Sequence, residues 1–523
     1  MLEEPRRERA WDVASGVLLL ALAGLMGGTF LDYGLTADEG LQQRYGRRTV
    51  RWYATLGGDR SATETNNLYL YGGAFELVAQ AAQRVSPLGV YESRHLVNAA
   101  FGFAGVVAAW GLGRLLGGAA AGFASALFLV LTPAYYGHCF ANPKDVPFAA
   151  LYALATWSIL WATDARRRPL SPPVALAGAA VGLAAGVRVS GIVLGGFAAL
   201  LWGASGWAEG RGFLPSRREA LRTGLALTVL LAVAWAVMLA CWPWAQIDPL
   251  RHPFRALRAF SDFHGNPVLF GGEGFASSDL PRTYVPRLLA LTLPEFYVPA
   301  FVLGAASLAR TGRAPGAHRR PSALRVAWVA SLAVLPVAWA ILDRTPLYNG
   351  LRHLLFIVPI LAVLAGVSVA GAVRSHLPVP VLAPAMAILA GCAALVAFDM
   401  VRLHPYQYVY YNRLFAGGVA SAVGRYETDY WSTSYKEGVE WVCDHYSRVE
   451  IRGPIRVGGN MLVPFASYLG RGRCRAPNFT AVPPDRDPHV LLAAGAEREG
   501  RLLHVVERLG APLLYVYEVK PPK

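Results

Sequence analysis

Two adjacent carboxylates, Asp38-Glu39, and a compact polar motif, Asn142-Pro143-Lys144-Asp145, stand out in a chain that is otherwise largely apolar. Ionisable groups held at a membrane surface are costly to desolvate, so their presence there points to function. A carboxylate at such a boundary is suited to taking a proton from an acceptor whose partner is a membrane-anchored donor. A lysine is a mobile point charge suited to a lipid-linked phosphate, which makes Lys144 a candidate phosphate ligand. Asp145 either orients Lys144 or acts beside Asp38. Arg188, in Gly186-Val187-Arg188-Val189-Ser190, and the pair Arg352-His353 add cations that clamp a phosphate or simply snorkel to headgroups. Structural readings run alongside: Asp38-Glu39 caps a helix or marks the end of a span, and Asn142 to Asp145 is a turn with an N-cap. His138, near Asp145, is a metal ligand or a hydrogen-bonded loop histidine. No Cys or His spacing resembles a zinc site, and no metal is required, although a carboxylate pair is able to hold a divalent ion.

The elements that must position these groups follow from composition. Of 523 residues, 54% are hydrophobic and 16% charged, against roughly 25% charged in soluble domains. The net charge of +15 sits mostly in short loops rather than one stripe, so membrane topology explains it and nucleic acid is not an expected partner. Apolar runs near 11–31, 95–113, 118–136, 147–163, 173–189, 191–207, 223–243, 287–309, 326–342, 353–372 and 379–399 predict about 11 transmembrane helices. The first follows Arg6, Arg7 and Arg9 without a cleavage site and reads as a retained signal anchor. With the N-terminus inside, the inner loops carry Arg166-Arg167-Arg168, then Arg211, Arg217, Arg218 and Arg222, then Arg310, Arg313, Arg319 and Arg320, then Arg374, in keeping with the positive-inside rule. Loops 32–94, 137–146, 244–286 and 343–352, and the tail 400–523, then face out. One broken helix around 189–191 in place of two spans would invert everything after it; the basic loops that follow argue against that.

In the first outer loop, residues 68–85 suit a helix lying in the interface, with Leu70, Ala74, Leu77, Val78 and Ala81 on one face and Glu76, Gln80 and Gln83 interrupting it. The tail reads as a small α/β domain. Residues 432–448 form an amphipathic helix through Tyr435, Val439, Val442 and Tyr446; 455–457 and 490–492 are strands; 502–508 and 513–519 flank a hairpin turn. Cys443 and Cys474 are either a disulfide, which an oxidising compartment permits, or two free buried thiols. Trp242, Trp244, Phe263, His264 and Phe270 would stack on a sugar or belong to an aromatic belt, the latter favoured for the two tryptophans.

A basic N-terminus, one span, and an outer loop with Asp38-Glu39 and an interfacial helix resemble the beginning of GT-C glycosyltransferases. Asn142-Pro143-Lys144-Asp145, Gly186-Val187-Arg188-Val189-Ser190-Gly191 and Arg352-His353-Leu354-Leu355 are similar to motifs in the bacterial branch of glycosyltransferase family 39. That family includes protein O-mannosyltransferases and lipid A aminoarabinose transferases. Tyr410-Tyr411-Asn412 and Arg425-Tyr426-Glu427-Thr428-Asp429-Tyr430-Trp431 are similar to a subset of bacterial members. The resemblance implies a polytopic GT-C-like domain over 1–399 and an extracytoplasmic α/β domain over 400–523. It implies transfer, with inversion, from a polyprenyl-phosphate-linked sugar to a glycolipid, cell-wall polymer or secreted protein on the outer face of a bacterial-type inner membrane. Asp38 would be the general base, with Glu39 supporting its geometry or binding the acceptor, and Lys144, Arg188 and Arg352 stabilising the leaving phosphate. No β-trefoil repeat of the eukaryotic protein mannosyltransferases is present. The competing readings are a transporter or flippase, and a membrane assembly protein. Span interiors nearly free of charge, with polar motifs at one face, favour interfacial chemistry over alternating access.

Overall fold

The structure, a computed structural model, describes residues 3–208, 216–261, 265–311, 320–375, 377–447, 454–459, 467–469, 474, 479–494 and 500–520. Arg211, Phe263, His264, Arg313, Arg319 and Arg448 lie outside the described residues.

Each of the eleven apolar segments is helical, as expected of backbone that must satisfy its own hydrogen bonds in lipid. By length and composition, seven helices among the described residues can cross a membrane, and eight when the bent pair Tyr284–Thr292 and Tyr297–Arg310 counts as one. The segment expected as a single span at 287–309 is that pair, bent by 103°. The 41-residue helix Val90–Val130 is two legs, because Gly117 and Gly118 leave helical geometry and Gly118 has φ +76. Gly122 packs against the Trp110 carbonyl and Gly113 against the Ala121 carbonyl. A straight helix would hold residues 110 and 122 about 18 Å apart, so the legs run antiparallel, and a short helix, Pro133–His138, follows the second after an extended residue, Thr132. Pro172–Ala185 and Val189–Ser205 are shorter apolar helices, the second opening with a 3₁₀ turn at Val189–Ile192.

Polar contacts mark the two ends of the bundle. At one end Arg114 holds Asp12 at 2.9 Å, Arg325 holds Asp164 at 3.1 Å, and Arg374 donates to the Gly117 carbonyl at 2.7 Å. Following the chain through the spans, the segments around 38, 144, 188 and 352 all arrive at the opposite end.

That end is roofed by the first long loop. Its helix Glu39–Ala54 buries Glu39, Gln42, Gln43, Tyr45, Gly46, Thr49 and Trp52; a polar buried stripe among arginines gives no apolar periodicity, so no helix was expected there. Residues 68–85 divide at Gly72-Gly73 into a 3₁₀ turn, Asn66–Leu70, and a helix, Ala74–Val85. A side chain at Gly72 would collide with the Gly186 backbone, which also accepts from Ala74 N at 3.0 Å. In Ala74–Val85 the polar residues face in: Glu76 and Gln80 are buried, while Val78 and Val85 are exposed. Trp242 is fully buried and donates to the Tyr69 carbonyl at 2.8 Å, so the belt expected of it is replaced by core packing. Trp244 stacks on His252, and Phe270 packs against Tyr284 and Tyr426.

Beyond the last span, residues 404–434 pack back on the helices: Tyr33 Oη donates to Gln407 Oε1 at 3.0 Å, Tyr410 Oη to Glu295 Oε2 at 2.9 Å, and Asn412 N to the Leu291 carbonyl at 2.9 Å. After the hairpin strands β1 (Val268–Phe270) and β2 (Glu273–Phe275), the tail supplies β3 (Ile455–Gly459), β4 (Phe479–Val482), β5 (Val490–Ala493), β6 (Arg501–Arg508) and β7 (Ala511–Glu518). These form one sheet in the order β4-β3-β5-β7-β6, parallel across β4-β3-β5 and antiparallel across β5-β7-β6. Helix Tyr435–Tyr446 buries Tyr435, Val439, Val442 and Tyr446, as its periodicity predicts, and Cys443 and Cys474 are joined as a disulfide.

Candidate active site

Asp38 occupies the N-cap position of helix Glu39–Ala54, yet its side chain makes no capping bond. Its Oδ2 instead receives Lys144 Nζ at 3.2 Å and Arg352 Nη1 at 3.4 Å. The Asp38 side chain is 37% exposed, against 13% for Lys144 and 4% for Arg352, so the carboxylate is the accessible member of the cluster. The Lys144 ammonium holds the Asp38 carboxyl below the usual carboxylate range, with burial opposing and Arg352 assisting. Burial lowers the Lys144 pKa more than any one neighbour raises it, but Asp38, Tyr71 and Asp145 together outweigh it and the net shift is upward. Both groups are therefore charged at neutral pH.

Glu39 turns the other way. Its Oε2 accepts from Thr36 N at 2.9 Å, its Oε1 lies 3.0 Å from His95 Nε2, and it is buried. A divalent ion requires converging oxygens, whereas Asp38 and Glu39 diverge and Asp38 is faced by two cations; the pair as arranged does not fit such an ion. Among the described residues no group of three or more His, Cys, Asp or Glu side chains is placed to hold a metal.

Asn142 to Asp145 form a turn, as expected. Asn142 Oδ1 accepts from Asp145 N at 2.8 Å and Lys144 N at 3.3 Å, and Asn142 Nδ2 donates to Asp145 Oδ2 at 3.0 Å. This turn leads into helix Asp145–Ala162, whose N-cap position is Lys144 and which has no side-chain cap, and it sets Lys144 across from Asp38. Arg188 does not snorkel: its Nη2 is hydrogen-bonded to Asp145 Oδ1, while its buried Nε has no protein partner. Arg352 is held by faces as well as charges, its guanidinium 4.8 Å from the Tyr348 ring centre and 5.1 Å from that of Trp431. Its Nε donates to His353 Nε2 at 3.2 Å. His138 lies 3.0 Å from the Tyr430 hydroxyl, and burial pushes its pKa down to about 3, so it is neutral.

A cavity of about 630 Å³ opens beside this cluster. Its walls are apolar, with Phe148, Phe197, Leu335 and Trp339 among them, and Arg188, Tyr71, Tyr348 and His353 line it too. Lys144 Nζ lies 5.1 Å from the centre of the Tyr71 ring and the Arg188 guanidinium 5.7 Å from it. The arrangement suits an amphiphile: an apolar chain in the cavity and an anion among three cations, Lys144, Arg188 and Arg352, against two carboxylates, Asp38 and Asp145.

Sequence reasoning missed Tyr71 and Tyr348, two members of the aromatic frame, and the support under Lys144. The tail motif around residues 425–431, singled out only by resemblance, returns to the site: Glu427 Oε2 accepts from Gly350 N at 3.3 Å, two residues before Arg352.

Residues 91–244 match the sequence model of the family described as dolichyl-phosphate-mannose-protein mannosyltransferase. That stretch carries His138, Asn142, Lys144, Asp145 and Arg188. A sequence comparison with curated proteins gives no match. Among solved structures, ArnT from Cupriavidus metallidurans bound to undecaprenyl phosphate is 15% identical, with 97% of this chain and 99% of that chain covered and a TM-score of 0.52. The Archaeoglobus fulgidus oligosaccharyltransferase tethered with an acceptor peptide is 12% identical, covering 85% of this chain and 61% of that chain, with a TM-score of 0.46. The chain thus has the GT-C membrane fold and, over residues 91–244, the sequence pattern of dolichyl-phosphate-mannose-protein mannosyltransferases.

Proposed function

We propose that the protein is an integral-membrane glycosyltransferase that moves a sugar from a polyprenyl-phosphate-linked donor to an acceptor at the outer face of the inner membrane, with inversion. The observation that carries this reading is the partly exposed Asp38 carboxylate held by Lys144 and Arg352, which in turn lie over Tyr71 and Tyr348, two walls of an apolar cavity that Arg188 lines. The polyprenyl chain occupies the cavity and its phosphate meets Lys144, Arg188 and Arg352. Asp38 takes the proton of the acceptor hydroxyl as the oxygen attacks the anomeric carbon from the face opposite the phosphate. The bond from that carbon to the phosphate oxygen breaks, and the phosphate keeps the electron pair. Three cations against two carboxylates leave one net positive charge, which neutralises the donor phosphodiester and attracts the developing monoester more strongly. Preorganised charge of this kind is usually the largest catalytic contribution. Glu39, paired with His95, supports the turn that presents Asp38. Asp145 orients Arg188. The arginine-bearing loops at the other end support an outward placement of this end and of the tail.

The test is Asp38→Asn in the native host, at unchanged protein level, with glycolipids, cell-wall polymers and secreted proteins compared by mass spectrometry. Loss of one defined sugar mass from one fraction supports transfer and names the acceptor class. An unaltered profile in a host where deletion alters it removes Asp38 as the base.

A further inference from the structure

A buried polar chain leads from the roof of the site to Lys144. Arg94 and Glu76, with side chains 1% and 3% exposed, share two parallel hydrogen bonds of 2.8 and 2.9 Å. Gln42, itself buried, lies between Glu76 and Lys144. A carboxylate on one side requires a donor and an ammonium on the other requires an acceptor, so the amide has one workable orientation. In it the Gln42 nitrogen donates to Glu76 Oε1 at 3.0 Å and the oxygen accepts from Lys144 Nζ at 3.1 Å.

We infer that Gln42 is a positioning residue for Lys144, fixing its ammonium so that one N–H faces the donor phosphate. An ammonium has three N–H donors. Asp38 Oδ2 takes one and Gln42 the second. The third is left for the side on which Tyr71 and the cavity lie. Arg94 fixes Glu76, Glu76 fixes the amide, and the amide fixes Lys144. Because an amide is neutral, it holds the ammonium without cancelling the charge that attracts a phosphate. Gln43 reinforces the chain from the side, accepting from Arg94 Nη1 at 3.1 Å and from Gln80 Nε2 at 2.8 Å.

The inference rests on Lys144 meeting the donor phosphate, and a double-mutant cycle separates the two ideas. Undecaprenyl phosphate is titrated into the purified full-length protein, its Gln42→Leu and Lys144→Ala variants, and the double variant. Gln42→Leu should weaken binding about tenfold, the scale of one hydrogen bond to a charged group. In the Lys144→Ala background the same change should cost less than about twofold. Equal losses in both backgrounds would mean that Gln42 serves the fold and not Lys144, overturning the inference while leaving the donor site intact. Unchanged binding in Lys144→Ala alone overturns the donor-site reading and this inference with it. Gln42→Asn, too short to reach Lys144, serves as the second variant if Gln42→Leu is not recovered folded, and the same weakening is expected of it.

Discussion

Asp38→Asn should separate binding from chemistry in opposite directions. In the folded protein Lys144 and Arg352 hold Asp38, and in the proposed reaction an incoming phosphate would share them. Two anions on one ammonium lie about 5 to 6 Å apart, and at an effective dielectric of about 20 they repel by roughly 3 kcal/mol. The Asp38 side chain is 37% exposed, and solvent screening at such a site reduces the repulsion to about 1 kcal/mol. Asparagine keeps the shape and an acceptor oxygen but removes the charge. The variant should therefore bind undecaprenyl phosphate about fivefold more tightly, while losing the general base should lower kcat by about 10² to 10⁴. A fall in KM together with a fall in kcat is the signature of removing ground-state competition along with a transition-state interaction. Binding is read by titrating the lipid phosphate into detergent-solubilised protein, and turnover with a panel of undecaprenyl-phosphate sugars. Weaker binding would refute the shared-cation reasoning, and undiminished turnover would refute the base.

Other consequences follow from the surrounding structure. Burial raises the Glu427 carboxyl to about 7, against the Gly350 and Asn349 backbone and Arg352, which lower it. Its stabilising contribution is complete below an unfolded pKa of about 4.3 and is lost as pH rises through about 7, a swing on the order of 3 kcal/mol. Glu427→Gln should flatten the fall in Tm between pH 5 and pH 8, at about those bounds; parallel Tm curves for the two proteins would contradict the shift. Arg94→Met leaves the buried Glu76 charge without its ion partner and should cost about 3 to 5 kcal/mol, most of it recovered in Arg94→Met/Glu76→Leu. Thermal denaturation of the three proteins decides this, and no recovery would mean that packing, not charge, is what Arg94 supplies. Gly118→Ala places a side chain at φ +76, ψ −179 and should lower stability by about 1 to 3 kcal/mol. An unchanged Tm would show that the hairpin between the two legs tolerates another conformation.

The spans were legible because a bilayer imposes one rule on length and polarity, and each apolar run became a helix. Their breaks were less legible. The bend at residues 292–297 and the reversal at Gly117-Gly118 lie inside apolar sequence, where hydropathy carries no information about direction. The buried helix Glu39–Ala54 escaped notice because its inward face is held by hydrogen bonds and not by apolar contact. Trp242 read as an interface residue because sequence gives its type and position but not the loop that covers it.

The sequence by itself determined the membrane architecture, the arginine-bearing loops and the residue types of the site, since charge in an apolar chain is conspicuous wherever it occurs. Only the tertiary structure decided their partners. It separated Asp38, turned toward two cations, from its neighbour Glu39, turned toward His95. It also brought Gln42, Tyr71, Tyr348, Trp431 and Glu427 around Lys144 and Arg352. The reason is physical: hydrogen bonds and ion pairs act over a few ångströms, and those distances join residues hundreds of positions apart.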